Sequence, residues 1–91
     1  MERIYLIVET SSQEPFNPLI IKKKSLEEAV RIFSEHIQER DDEYWKKKLI
    51  DLRISGENEL YEAKLLVNRK GWGYDYIVGL KIESINLSLI K

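Results

Sequence analysis

Ninety-one residues with no cysteine and a net charge of −1 specify one small core, and the absent thiols exclude disulfides, thiolate zinc sites and cysteine nucleophiles. A composition 43% hydrophobic and 34% charged is that of a folding chain, not of a disordered one. One histidine, His36, leaves no room for a multi-histidine metal site.

The near-neutral total hides an asymmetry. Residues 1–45 carry ten acids and six bases, whereas residues 46–91 carry nine bases and six acids. Lysine outnumbers arginine ten to five, as in thermophilic proteins and in those from AT-rich genomes alike. The first apolar run, Ile4 to Val8, is far shorter than a membrane span and no cleavage-site pattern follows it. A cytoplasmic location is the expectation, and the Asn86-Leu87-Ser88 sequon is discounted with it.

Arg3 to Glu9 reads as a strand with apolar residues on both faces: Ile4, Leu6 and Val8 on one, Tyr5 and Ile7 on the other. A polar loop to Asn17 holds Pro15 and Pro18. Leu19 to Lys23 is a short second strand whose proline start and lysine end suit a sheet edge. Ser25-Leu26-Glu27-Glu28 is a capping box opening a helix with Leu26, Ala29, Val30, Phe33 and Ile37 on one stripe. This helix is expected to reach about Arg40, where Asp41-Asp42 either interrupts it or caps a second short turn holding Tyr44 and Trp45; an unbroken helix would keep those two near the same face.

Leu49 to Ser55 alternates, with Ile50, Leu52 and Ile54 as the half-buried set. Glu59 to Asn68 and Tyr74 to Ile82 follow as two more strands, joined by a turn over Arg69 to Gly73. From Ile85 the apolar positions change phase, which predicts a bulge near Glu83-Ser84 or a break into a further strand. The expected fold is one compact α+β domain: a mostly antiparallel sheet of five strands, or six, packed on one main helix in the order β-β-α-β-β-β. One helix covers one sheet face, and Tyr5, Ile7, Leu60, Leu66, Ile85, Leu87 and Leu89 are then left over on the second. Surplus apolar surface of this kind marks a binding site or is covered by the terminal segment.

Few residues suggest chemistry. His36 and Glu39 lie at neighbouring helix positions, but no further ligands are identifiable, and no serine sits in a nucleophile elbow. Glu28, Glu35, Glu39 and Asp42 line an outward face that is either solvated or a mimic of a phosphate backbone. Lys46-Lys47-Lys48 after Tyr44-Trp45 is too short for a membrane-surface segment. Asn68-Arg69-Lys70-Gly71-Trp72-Gly73-Tyr74 is the most distinctive run. It offers cations, a tryptophan able to stack, and glycines for a tight backbone, but it joins two strands and is no dinucleotide fingerprint. Gly79, inside a strand, marks a bulge or a close approach.

The sequence therefore points to a non-enzymatic protein-binding module without cofactor, metal or catalytic residues. It would act as an inhibitor, an adaptor or a homodimer, with Tyr5, Ile7, Arg69, Lys70, Trp72 and Tyr74 as partner-binding residues. Compact α+β chains occur among phage and viral host-defence inhibitors, an analogy of fold with no motif behind it. The alternative is a nucleic-acid-binding module using Arg69, Lys70, Trp72 and Lys22 to Lys24, against which the pI near 5.9 counts. No membrane partner is expected.

Overall fold

A computed structural model describes residues 3–13 and 18–86. Its elements are β1 (Arg3–Ser11), β2 (Leu19–Lys23), α1 (Leu26–His36), β3 (Arg40–Asp41), β4 (Trp45–Ser55), β5 (Leu60–Arg69) and β6 (Tyr76–Asn86). The six strands form one sheet in the order β2-β1-β6-β5-β4-β3, and every neighbouring pair is antiparallel. The first and last strands thus lie side by side near the middle, with Arg3 opposite Asn86 and Ser11 opposite Val78.

The helix starts where the capping box places it. Ser25 has extended backbone angles, and its hydroxyl accepts from the Glu28 backbone N–H at 3.4 Å. Glu27 and Glu28 sit at the positive end of the helix dipole. The end comes earlier than expected, at His36, where the Ile37 N–H closes the last turn on the Phe33 carbonyl. Arg40 and Asp41 leave the helix to pair with Lys47 and Lys46, so tertiary strand pairing outcompetes helical continuation. The sixth strand is therefore this two-residue β3, not a C-terminal break. Tyr44 falls in the turn and Trp45 opens β4, neither on a helical face.

The phase change is absorbed in an unexpected place. β6 runs unbroken to Asn86 with continuous pairing to β1, so there is no bulge at Glu83-Ser84. Ile85 lies opposite Ile4, on the face away from the helix. Leu87 and Leu89 lie outside the described residues. The register shift is in β4, between Leu49 and Asp51. Leu49 faces Leu65, and past the shift Leu52 faces Ala63 and Ile54 faces Tyr61. The odd-numbered set before the bulge and the even-numbered set after it therefore point to the same side as α1.

That side holds the core. Ala29 and Phe33 of α1 meet Ile7, Ala63, Leu80 and Ile82, all buried. Phe33 also stands edge-on to Tyr61, with centroids 6.0 Å apart. A second cluster, Leu65, Val67 and Val78, continues under Ile37, Trp45 and Tyr76. Ile7 is 1% exposed, so it belongs to the chain's own core and its side chain is not available to a partner. Tyr5 is half-buried against the same cluster.

α1 approaches β1, β6 and β2 most closely and leaves the β4 end of this face bare. Ile50, Leu52 and Ile54, expected to be half-buried, are 47%, 43% and 55% exposed. Uncovered apolar surface lies at this far end of the helix face and also on the opposite face, where Ile20, Leu60 and Ile77 are exposed, but not on Tyr5 and Ile7. The opposite face carries a charge lattice at its centre: Glu62 lies beside Lys81 and Arg53, and Lys64 beside Asp51.

Candidate protein-binding surface

The run from Asn68 to Tyr74 builds a compact end on the molecule. The Trp72 N–H donates to the Arg69 carbonyl at 2.9 Å, closing a four-residue turn. Gly71, third in that turn, has φ +97°, the left-handed value a type II turn requires there. Gly73 follows at φ +76°. The two glycines let the chain reverse on either side of Trp72.

The side chains of this end are fixed by one another. The Arg69 guanidinium lies over the Trp72 ring, 5.1 Å from its centroid, and Trp72 stands 5.8 Å from Tyr74. The Asn68 amide donates to the Tyr74 carbonyl at 2.8 Å and to the Asp75 carboxylate at 2.7 Å. Gln13, from the end of β1, donates to the Tyr74 hydroxyl at 2.8 Å. Trp72 remains 40% exposed, and Tyr74 and Tyr44 more so.

The β3–β4 turn packs beside it. The Lys70 N–H donates to the Tyr44 carbonyl, and the Lys70 ammonium pairs with Asp41 at 2.8 Å. That hydrogen bond and charge hold the Asp41 carboxyl below its ordinary range. Asp42 accepts from the backbone N–H groups of Tyr44 and Trp45 at 2.9 and 2.8 Å and bonds to Arg40. These bonds to the charged form, the backbone ones foremost, lower its pKa as well. Of the expected partner-binding residues, the structure brings Arg69, Lys70, Trp72 and Tyr74 together. Tyr44 joins them unforeseen, because only the helix ending at His36 frees it; Tyr5 and Ile7 lie elsewhere, in or against the core.

Among the described residues, two shallow grooves lie elsewhere on the surface. One, about 280 Å³, lies on the face away from α1, between Val8, Thr10, Gly79 and the charges of the lattice. Gly79 is not a bulge, since it pairs in register with Thr10 and Lys64; a Cβ there would stand 2.9 Å from the Thr10 hydroxyl, which would have to shift. The other groove, about 210 Å³, lies past the end of α1 between Glu9, Arg40, Trp45, Lys47 and Tyr76. Burial lowers the Lys47 pKa and raises that of Tyr76. His36 Nδ1 is 3.9 Å from Glu9, a distant contact. Among the described residues no three His, Asp or Glu side chains converge as a metal site would need, and no helix is long and apolar enough to cross a membrane. No family model, curated protein or solved structure matches the chain.

Proposed function

We propose that this chain is a small non-enzymatic protein-binding module, an inhibitor or adaptor, that engages its partner through the end formed by Tyr44, Arg69, Lys70, Trp72 and Tyr74. The observation that carries the reading is Trp72, 40% exposed and held between Arg69 and Tyr74 on a glycine-flanked turn. Tryptophan, tyrosine and arginine are the residue types that dominate binding energy at protein interfaces. Side chains already fixed by mutual contact lose little freedom on binding, which favours affinity.

Arg69 beside Trp72 also suits a nucleic acid, with the cation on phosphate and the ring on a base. The charge of this end is mixed: Asp41 engages Lys70, Asp42 engages Arg40, and Glu43 and Asp75 offset Lys46 and Arg69, so it lacks the basic face that a phosphate backbone draws on.

The experiment is affinity capture from the native source with the wild type and with Trp72→Ala/Tyr74→Ala, both checked for folding by circular dichroism. A partner retained by the wild type and lost by the variant is the expected result. Equal capture by both removes the aromatic end from the reading. Salt-sensitive binding of labelled single-stranded RNA or DNA that the variant loses would transfer the end to the nucleic-acid alternative.

A further inference from the structure

We infer that the β4 edge is a self-association surface, on which a second copy of this chain adds its own β4 in antiparallel register about a two-fold axis at Leu52. This goes beyond the aromatic end and does not rest on it.

The edge is open. Among the described residues β3 pairs only with Lys46 and Lys47, so β4 from Lys48 to Ser55 has no strand on its outer side. An unpaired edge presents a row of backbone donors and acceptors that another strand can satisfy. This one also carries three exposed aliphatic residues, Ile50, Leu52 and Ile54. The other edge, β2, is shorter: five residues that begin after Pro18 and end in Lys22-Lys23-Lys24, against eight open residues of β4, whose own Lys46-Lys47-Lys48 and bulge at Leu49–Asp51 sit towards its start and leave Asp51 to Ser55 regular.

The charges of β4 select both the occupant and the register. Asp51 and Arg53 share the face away from α1, as their pairing with Lys64 and Glu62 shows. Within one copy Arg53 and Asp51 pair with each other at 3.4 Å; antiparallel pairing about Leu52 sets Asp51 of each copy opposite Arg53 of the other, so the two in-strand pairs are joined by two across the contact. The same register places Leu52 against Leu52 and brings Ile54 to Ile50, the extra residue of the bulge. Moving the axis to Asp51 sets carboxylate against carboxylate, and moving it to Arg53 sets guanidinium against guanidinium. A strand whose charges complement themselves in only one of these neighbouring registers fits its own copy, and a two-fold contact of identical patches is the commonest form of homo-oligomer. The strip is narrow, so the dimer is weak and its population depends on concentration.

Sedimentation velocity over a hundredfold range of concentration tests this, and the expected result is a rise from the monomer mass of 10.8 kDa towards twice that value. Arg53→Asp puts like charges opposite each other and should leave only monomer. Arg53→Asp combined with Asp51→Arg restores opposite charges across the axis and should restore the dimer, even though it reverses the pairs with both Glu62 and Lys64 where the single variant reverses only the first. Because the chain has no cysteine, Leu52→Cys with a short thiol-reactive cross-linker should give a cross-linked dimer, and Ile20→Cys on β2 should not. A wild type that stays monomeric throughout overturns the inference. So does a dimer that survives Arg53→Asp, or one captured by Ile20→Cys and not by Leu52→Cys. None of these outcomes bears on capture through Trp72, so the two proposals fail separately.

Discussion

The two ends of the helix-side face carry similar alternating apolar residues and meet different fates. At the β1–β6 end, Ile7 and Ile82 face each other in the register and lie buried with Phe33. At the β4 end, Leu52 and Ile54 point to the same side, opposite Ala63 and Tyr61, and stay exposed. The difference is one of reach. An 11-residue helix is about 16 Å long and about 10 Å wide, and strands lie about 4.8 Å apart, so it spans two or three strands and not six. The molecule is drawn out to match, with a radius of gyration of 14.6 Å against about 12 Å for a compact chain of this length. Alternation in a strand states that one face is apolar; it does not state that anything covers that face.

The largest test of this contrast is a pair of truncations. Phe33→Ala removes the largest fully buried side chain and should cost about 3–5 kcal/mol, much of the stability of a domain this size. Leu52→Ala removes an aliphatic side chain from the uncovered end and should change monomer stability by less than about 0.5 kcal/mol. Urea unfolding at low protein concentration measures both. Comparable losses would mean that Leu52 is packed as well as Phe33, and the contrast would collapse.

Next in size is the cap that anchors the covered end. Ser25→Ala removes the acceptor for the Glu28 N–H and should cost about 1 kcal/mol, with Ser25→Asp recovering most of it. A matching loss of hydrogen-exchange protection at the first turn of α1, with β4 unaffected, would show that the two ends are stabilised separately.

What was legible in the sequence follows the same division. The capping box, the helix stripe and the five longer strands in their succession along the chain could be read because each is a local pattern, whereas the order of the strands in the sheet could not. Ile7 could not be placed, because Leu6 and Val8 flank it with apolar side chains on the other face and only the helix decides which face becomes core. The phase change at Ile85 suggested a bulge in the last strand, yet that strand stays regular and simply shows an apolar residue on its other face. The bulge at Leu49–Asp51 left no turn residue to mark it. The end of α1 was missed because Arg40 and Asp41 take their partners from Lys46 and Lys47, and helix propensity is blind to that pairing. At the candidate site, the glycines around Trp72 announced the turn, while Tyr44 could join it only once the helix stopped short.

The smallest effect expected concerns the turn that replaces the helix, and it turns on Asp42. Its carboxylate accepts two backbone N–H groups, so the fold favours the charged form and the folded pKa lies below 3.8. A depressed pKa makes its contribution above the unfolded value and loses it as pH falls through the folded value. The β3–β4 turn should therefore be indifferent to pH from neutrality down to about pH 4 and loosen only below it. Carboxyl chemical shifts followed by NMR should give a midpoint for Asp42 below 3.8. Asp42→Asn abolishes the titration but keeps a side-chain oxygen where Tyr44 and Trp45 need one, so their amide protons should stay protected from exchange. Asp42→Ala removes the acceptor and should release both. If Asp42→Asn releases them equally, the charge holds this turn and not the acceptor geometry, and Tyr44 then owes its place at the aromatic end to that charge together with the bond from the Lys70 N–H to its carbonyl.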